Sequence, residues 1–537
     1  MTANPLLSSI RSLGAAAALA LFAGTVSVSA QQISAFQQVL ASATASEDTS
    51  VGTFYRTNGY QPIWTGASDL ERARRAALFD ALQTAPLHGL PAGRYDVPGL
   101  KARMAAARTM ADMARVEAEL SATLVEFAAN MQFGALEPGR VDVEIRREVP
   151  YTDRALYLVQ FAQMTPEAFF RALPPQSPEY RALLKQKLIF EQELLAGGWG
   201  PTVNASALEP GQSGADVVAL RDRLVRMGYL DRSLSREYDG RMTEAVKRFQ
   251  ASHGLTEDGV AGSATLQEVN VSMEERLKSV IVAMERERWT NMDRGDRHIW
   301  VNLTDFTAKV IDNGEVTFET RSVIGADSGD RRSPEFSDEM EHMVINPSWY
   351  VPRSIITKEY LPALKRNPNA VRHLEITDSR GRKVNRGAVN FAAYSARSFP
   401  FSMRQPPSSR NALGLVKFMF PNKYNIYLHD TPQKALFERE VRAFSHGCIR
   451  LQQPFDFAYT LLAPQSDDPK ATFHSILDTG RETKVELERK VPVHIVYRTA
   501  FADERGQIEY RRDMYGRDGR IWNALAARGV SLIAQGS

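Results

Sequence analysis

Ser445-His446-Gly447-Cys448-Ile449-Arg450-Leu451 holds the only cysteine in 537 residues, with a glycine just before it and a histidine two before. In an exported chain one cysteine has no internal partner, so this thiol is a buried structural residue, an intermolecular crosslink or a nucleophile. Gly447 removes a side chain beside the sulfur, which opens an approach for a substrate carbonyl. Successive backbone N–H groups at Gly447 and Cys448 could face a developing oxyanion. Upstream, Tyr424-Asn425-Ile426-Tyr427-Leu428-His429-Asp430-Thr431-Pro432 alternates like a strand and ends in a turn. Period two puts Tyr427 and His429 on the face opposite Ile426 and Leu428, with His429 at the strand end. An imidazole within hydrogen-bond reach of the thiol would lower its pKa and populate the thiolate. The fifteen residues between His429 and Ser445 are enough chain to fold back and set the two side by side.

A histidine, a gap of about fifteen residues and then Ser-His-Gly-Cys resembles the L,D-transpeptidases of bacterial cell-wall synthesis, with their YkuD-type catalytic domain. The resemblance puts His429 and Cys448 at the base and nucleophile, and Ser445, His446 and Gly447 on the approach to the thiol. Arg450 stands where many members have Asn. The large periplasmic subfamily with a scaffold domain carries Arg there, and Asn411-Ala412-Leu413-Gly414 and Leu428-His429-Asp430-Thr431-Pro432 are similar to that subfamily.

Toward the N-terminus, Arg11, an apolar run from Leu13 to about Gly24 and Val28-Ser29-Ala30 form a secretory signal peptide over residues 1–30, cleaved near Ala30. The run is short of the roughly 20 residues that span a bilayer, and no later segment is apolar enough to cross. The mature chain is therefore expected in the periplasm, an oxidising compartment where a lone thiol stays free. Loss of Arg11 takes the net charge from +3 to +2. No dense Lys/Arg stripe interleaved with aromatics points to nucleic acid, and the nine histidines show no metal-ligand spacing. Neither a metal nor another cofactor is expected.

The mature length suggests a multidomain α+β protein. Residues 31–200 read as a helical scaffold domain. Met113, Val116, Leu120, Leu124, Phe127 and Met131 fall at steps of three and four, and a run from Leu70 to Leu82 has buried-face residues at Leu70, Ala77, Leu78, Ala81 and Leu82. Phe54, Tyr55, Tyr60 and Trp64 read as core, and His88 as a helix-terminal residue. Residues 205–271 form a small helical unit with two Asp-Gly echoes, Asp239-Gly240 and Asp258-Gly259, similar to the peptidoglycan-binding module of many wall enzymes. Residues 275–537 read as a β-rich catalytic domain after a helix from Glu274 to Trp289. Its strand candidates are Phe306–Val310 and Glu315–Val323 joined at Asn313-Gly314, then Met343–Asn346, Lys417–Phe420, Asn425–His429 and Val491–Tyr497. These suggest a sandwich or barrel-like sheet with the thiol loop at one mouth. His494 reads as a plain strand residue. An interruption over about 350–410, beginning beside Trp349 and Tyr350, resembles the subfamily's capping insertion, and Tyr510 through Leu525 resembles its helical tail.

The residues predict acyl transfer through a thioester, with His429 as base and a backbone carbonyl of the following turn, in preference to the Asp430 side chain, orienting its ring. Tyr427, Ser445, Arg450, Asp430, Trp349 and Tyr350 are the candidate substrate-binding residues. What the resemblance implies is the substrate: peptidoglycan tetrapeptide stems as donor and acceptor, joined through third-position diaminopimelate residues. It also implies acylation of Cys448 by carbapenems, and partner proteins of wall synthesis. Hydrolysis, exchange of a D-amino acid or attachment of a protein to the wall are alternatives at the same site. A wall-binding scaffold without turnover is the alternative from another class.

Overall fold

The computed structural model describes residues 34–45, 49–150 and 152–532. The leader expected at 1–30 lies outside them. Among the described residues no helix is long and apolar enough to cross a membrane. The chain divides into two compact units, one containing residues 34–143, 147–293 and 498–532, the other residues 144–146 and 294–497.

The first unit is mainly helical. Its longest helix, Met110–Phe133, starts at a capping box in which Thr109 and Asp112 satisfy each other's backbone donors. Val116, Leu120, Leu124, Phe127 and Met131 are buried along one stripe of it. Helix Asp69–Gln83 buries Leu78, Phe79, Ala81 and Leu82. Leu70, expected on that face, is half exposed because it sits in the first turn, ahead of the packed segment. Phe54, Tyr55 and Trp64 are core residues. Tyr55 and the 63–65 segment bind the buried Glu117 carboxylate, which accepts from the Tyr55 hydroxyl at 2.7 Å, the Trp64 and Thr65 N–H groups at 3.1 and 2.8 Å, and the Ile63 N–H.

In the same unit, helices Ala215–Arg226, Gly240–Ser252 and Ser263–Val269 share one core of Val217, Leu220, Leu224, Met242, Val246, Phe249 and Leu266. The two Asp-Gly echoes do different work. Asp239 caps a helix through the Met242 N–H, whereas Asp258 closes a turn in which Gly259 has φ +74° and the buried Gln250 amide binds both ends. Helix Met273–Trp289 is buried on every side from Val280 onward and packs on helices Pro178–Leu195 and Arg517–Ala527. Residues 275–293 and 498–532, read from sequence as part of the catalytic domain, therefore group with the helical unit. Tyr510 explains the C-terminal part: its ring stacks on His253 at 5.5 Å and lies under the Arg276 guanidinium.

The second unit is built on strands β1 (Arg297–Asn302), β2 (Thr307–Asp312), β3 (Glu315–Gly325), β4 (Phe336–Ile345), β5 (Trp349–Tyr350), β6 (Glu375–Thr377), β7 (Ser402–Gln405), β8 (Val416–Met419), β9 (Leu428–His429), β10 (Ala443–Ser445), β11 (Ile449–Leu451) and β12 (Thr483–Val496). The main sheet runs β10-β3-β11-β9-β8-β4-β12-β1-β2, and β2 pairs with β3 as well, so the sheet closes into a barrel-like ring with β10 added along β3. Asn313 and Gly314, both at positive φ, make the tight β2–β3 turn. Met343–Asn346 and Val491–Tyr497 prove to be the ends of longer strands. Their outer halves carry Glu339, Glu341, Lys484 and Glu486, whose charges hide the apolar alternation.

The strand expected over Asn425–His429 starts only at Leu428. Asn425 takes φ +56°, and the Asn422 side chain ties the preceding turn by donating to the Phe420 and Ile426 carbonyls and accepting from the Tyr424 and Ile426 N–H groups. The interruption between β4 and β8 folds on its own core of Trp349, Ile355, Ile356, Leu364, Ile376, Phe391, Phe399 and Met403, with the small sheet β5-β7-β6 on it.

Candidate active site

Three adjacent strands build the site. On β9 and β11, which run parallel, Leu428 pairs with Ile449 and His429 with Arg450; on β8, Lys417 pairs with His429 from the other side. Paired residues point to one face of a sheet, so Lys417, His429 and Arg450 form a row across three strands. Leu428 and Ile449 are buried beneath it. The Ile449 N–H donates to the Tyr427 carbonyl at 3.1 Å, which carries the register back one step. Tyr427 and Cys448, each two residues before a member of the row, thus lie on the same face. The Tyr427 and His429 rings are 5.7 Å apart, and the half-buried Cys448 Sγ–H points at the Asn425 carbonyl oxygen, 3.5 Å away.

The loop that presents the thiol is shaped by its own hydroxyl. Ser445 is buried; its Oγ donates to the Cys448 carbonyl and accepts from the Gly447 N–H at 3.1 Å. From outside the loop, Ser333 Oγ donates to the Gly447 carbonyl at 2.6 Å while accepting from the Gly325 N–H at 3.0 Å. The Gly447 N–H, expected to face an oxyanion, is therefore already occupied. The Cys448 N–H has no hydrogen-bond partner among the described residues. Gly447 has φ +109°, and a Cβ there would stand 3.2 Å from Ile426 Cδ1. Gly447→Ala is expected to cost about 1–3 kcal/mol of stability and to slow acylation of Cys448 roughly tenfold or more by tilting the thiol. Denaturant titration and adduct formation followed by mass read the two effects.

Burial decides the electrostatics. The His429 imidazole is pushed down to about 3 by burial first, and then by the charges of Arg450, Lys417 and Lys434, against a hydrogen bond from its Nδ1 to the Asp430 carbonyl. A carbonyl only accepts, so Nδ1 carries the proton and Nε2 keeps its lone pair. Burial pushes the Cys448 thiol up to about 11, while hydrogen bonds with Tyr427 and the charges of Arg450 and Lys417 pull the other way. The expectation that His429 lowers the thiol into the thiolate range is thus corrected. Burial thus favours the neutral form of both groups. The Lys417 ammonium is itself drawn down by burial, with Glu482 and Cys448 opposing.

Lys417 was not among the residues read from sequence as functional. Its signal was the alternation Val416-Lys417-Phe418, which places a lysine between two fully buried side chains of a central strand. Arg450 donates to Gln433 at 2.6 Å, and its buried Nε has no partner among the described residues. Asp430 turns away from the row. Its carboxylate accepts from the Leu415 and Thr431 N–H groups at 2.9 and 2.7 Å and from Lys434 at 2.6 Å, so it anchors the turn after His429. Gly414 makes room for it, since a Cβ there would collide with Asp430.

The remaining candidates are spread out. Trp349 is buried in the core of the insertion, against which Tyr427 packs. Tyr350, the next residue along β5, faces outward, two-thirds exposed, under the Arg404 guanidinium. The His446 ring leaves the thiol and meets Glu359 of the insertion, Nε2 to Oε1 at 2.6 Å. A pocket of about 420 Å³ opens beside the anchored turn, lined by Asp430, Thr431, Lys434, Gln452, Gln453 and Asp456 among others. Among the described residues no cluster of three or more His, Cys, Asp or Glu side chains could hold a metal ion.

Comparison with known proteins gives this arrangement a context. The family model described as "L,D-transpeptidase catalytic domain" (YkuD) matches residues 296–493, "Scaffold domain" matches 49–187, and "Putative peptidoglycan binding domain" matches 213–268. A Haemophilus influenzae protein named "Putative L,D-transpeptidase" is 30% identical over 242 residues, which cover 45% of this chain and 48% of that protein. The match thus spans about half the length of this relative. Among solved structures, an L,D-transpeptidase from Xylanimonas cellulosilytica is 12% identical, with 55% of this chain and 98% of that chain covered and a TM-score of 0.17. One from Stackebrandtia nassauensis is 14% identical, covering 55% and 97%, with a TM-score of 0.21. Residues 296–493 thus match the L,D-transpeptidase catalytic domain, and the same chain carries segments that match a scaffold domain and a peptidoglycan binding domain.

Proposed function

We propose that this protein is an L,D-transpeptidase that joins peptidoglycan stem peptides through a thioester on Cys448. The observation that carries the reading is the shared face of Cys448 and His429, with the imidazole neutral and its Nδ1 committed to a carbonyl. In this reading His429 Nε2 takes the thiol proton as sulfur attacks the carbonyl of the third stem residue, usually diaminopimelate. The carbonyl electrons move to an oxyanion facing the Cys448 N–H and the Tyr427 hydroxyl. On collapse the amide C–N bond breaks, and the imidazolium returns its proton to the leaving amine. The side-chain amine of diaminopimelate on a second stem then attacks the thioester, loses a proton to His429, and the thiol is regenerated.

The insertion over 349–413, with a core of its own, acts as a lid that keeps water from the thioester until the acceptor amine arrives. Arg450 and Lys417, partly buried and on the thiol face, suit a substrate rich in carboxylates. The helical unit of 205–271 serves as a wall-binding module, and the protein works in the periplasm, against the wall. Carbapenems acylate the same sulfur.

Intact-mass spectrometry of the protein and of Cys448→Ala, each with a carbapenem and separately with tetrapeptide muropeptides, tests this. The expected result is an adduct absent from Cys448→Ala, and dimers linked between two third-position residues. Adduct with released terminal residue but no dimer would replace transpeptidation by hydrolysis or exchange. No adduct and no product would leave a wall-binding scaffold.

A further inference from the structure

The insertion reaches the thiol loop through one carboxylate. Residues 353–366 form a continuous helical stretch whose middle, Ile356–Tyr360, widens into a π-turn. Pro362 supplies no N–H to the turn before it, which favours such a widening. Ile355, Ile356, Leu361 and Leu364 stay in the core of the insertion, and the widened turn projects Lys358 and Glu359 together on the other side. Lys358 pairs with Asp330 at 2.6 Å. Glu359 Oε1 meets two groups at once, Arg331 at 2.5 Å and His446 Nε2 at 2.6 Å.

Both partners of Glu359 belong to the wall of the thiol loop. His446 is two residues before Cys448. Arg331 is two before Ser333, whose hydroxyl holds the Gly447 carbonyl, and the Arg331 and Arg332 carbonyl oxygens lie within 4 Å of the place a Gly447 Cβ would occupy. Glu359 therefore spans the loop and its buttress. Side chains of all three residues are about one-third exposed, at 33%, 34% and 38%, which leaves the contact partly shielded from water and from screening by salt.

We propose that Glu359 is a positioning residue for the thiol: by holding His446 and Arg331 together it sets the angle of the 445–448 loop when the insertion is seated. Its carboxylate binds Arg331 and His446 and not the sulfur, and its effect is geometric. The inference rests on the transpeptidase reading for its kinetic consequence only. Thioester formation needs the sulfur, the carbonyl and the Cys448 N–H in line, whereas alkylation by a small reagent needs a reachable sulfur that loses its proton but no oxyanion donor in line.

The test compares full-length parent, Glu359→Ala and Glu359→Gln in three measurements. Backbone amide exchange over residues 445–449 is expected to speed up about tenfold or more in Glu359→Ala. Carbapenem acylation of Cys448 should slow about tenfold or more, because small misplacement of a reacting atom is costly. Alkylation by iodoacetamide should stay within about twofold of the parent. Glu359→Gln, which keeps an acceptor oxygen for both partners, should recover most of the exchange protection and of the acylation rate. Unchanged exchange in Glu359→Ala would overturn the proposal, and so would equal losses of acylation and alkylation, which would mean general damage to the fold. Exchange is read without substrate, so a parent that forms no carbapenem adduct defeats the functional reading and still leaves the positioning measured.

Discussion

In His429→Ala the rate of Cys448 acylation at pH 7 is expected to fall about 10²- to 10⁴-fold, the usual share of a general base. The shape of the pH profile is the sharper result. In the parent, His429 is neutral above about 3 and the thiol is neutral below about 11. Base and acid are therefore both in their reactive forms across the whole interval, and the acylation rate should be nearly level between about pH 4 and 10. Without the imidazole, only the spontaneous thiolate reacts. At pH 7 that is about one molecule in 10⁴, rising tenfold per pH unit. The variant's rate should climb with unit slope through neutrality, and its deficit should shrink toward alkaline pH. Stopped-flow acylation by a carbapenem from pH 5 to 10 measures this. A parent profile that already climbs with unit slope would remove His429 from the base role.

The largest effect on stability is expected at Glu117, far from the thiol in sequence. Its carboxylate is fully buried in the long helix Met110–Phe133 and accepts from the Tyr55 hydroxyl, three consecutive backbone N–H groups at Ile63, Trp64 and Thr65, and the Thr65 hydroxyl. Glu117→Leu strands these donors away from water. Each buried donor left unmade costs about 1–3 kcal/mol, part of which local rearrangement recovers, so a net loss of about 3–5 kcal/mol is expected. Glu117→Gln keeps one acceptor oxygen and should lose less. Amide exchange at residues 54–65 and 110–133 reads the loss in the helical unit without assuming that the whole chain unfolds in one step. Protection within about twofold of the parent in Glu117→Leu would mean that these donors find water, and the carboxylate is not what seats the 54–65 segment.

Much of this protein could be read along the chain. Period two put Tyr427 and His429 on one face, steps of three and four marked the stripe from Val116 to Met131, and Asn313-Gly314 marked a hairpin. A histidine, a gap and Ser-His-Gly-Cys pointed to the catalytic-domain type that residues 296–493 match. Such features are local, since backbone geometry ties them to spacing. Local reading failed where a strand was interrupted by a turn held through a side chain, as Asn422 does before Ile426, and where charged outer faces diluted the alternation of β4 and β12. It also assigned Gly447 a role in access, whereas the loop demands a positive φ there and spends its N–H on Ser445.

What lay beyond the chain's own spacing was which strands become neighbours. Lys417 stands beside His429 only because β8 pairs with β9, and Arg450 stands on the other side only because β11 does. Glu359 meets His446 across 87 residues, through a turn of the insertion. The protonation of the pair is likewise a property of assembly. Burial and the charges of Arg450, Lys417 and Lys434 favour neutral His429, and burial outweighs the opposing contacts at the thiol, so the residues are legible as letters while their charge is set by how the sheet buries them.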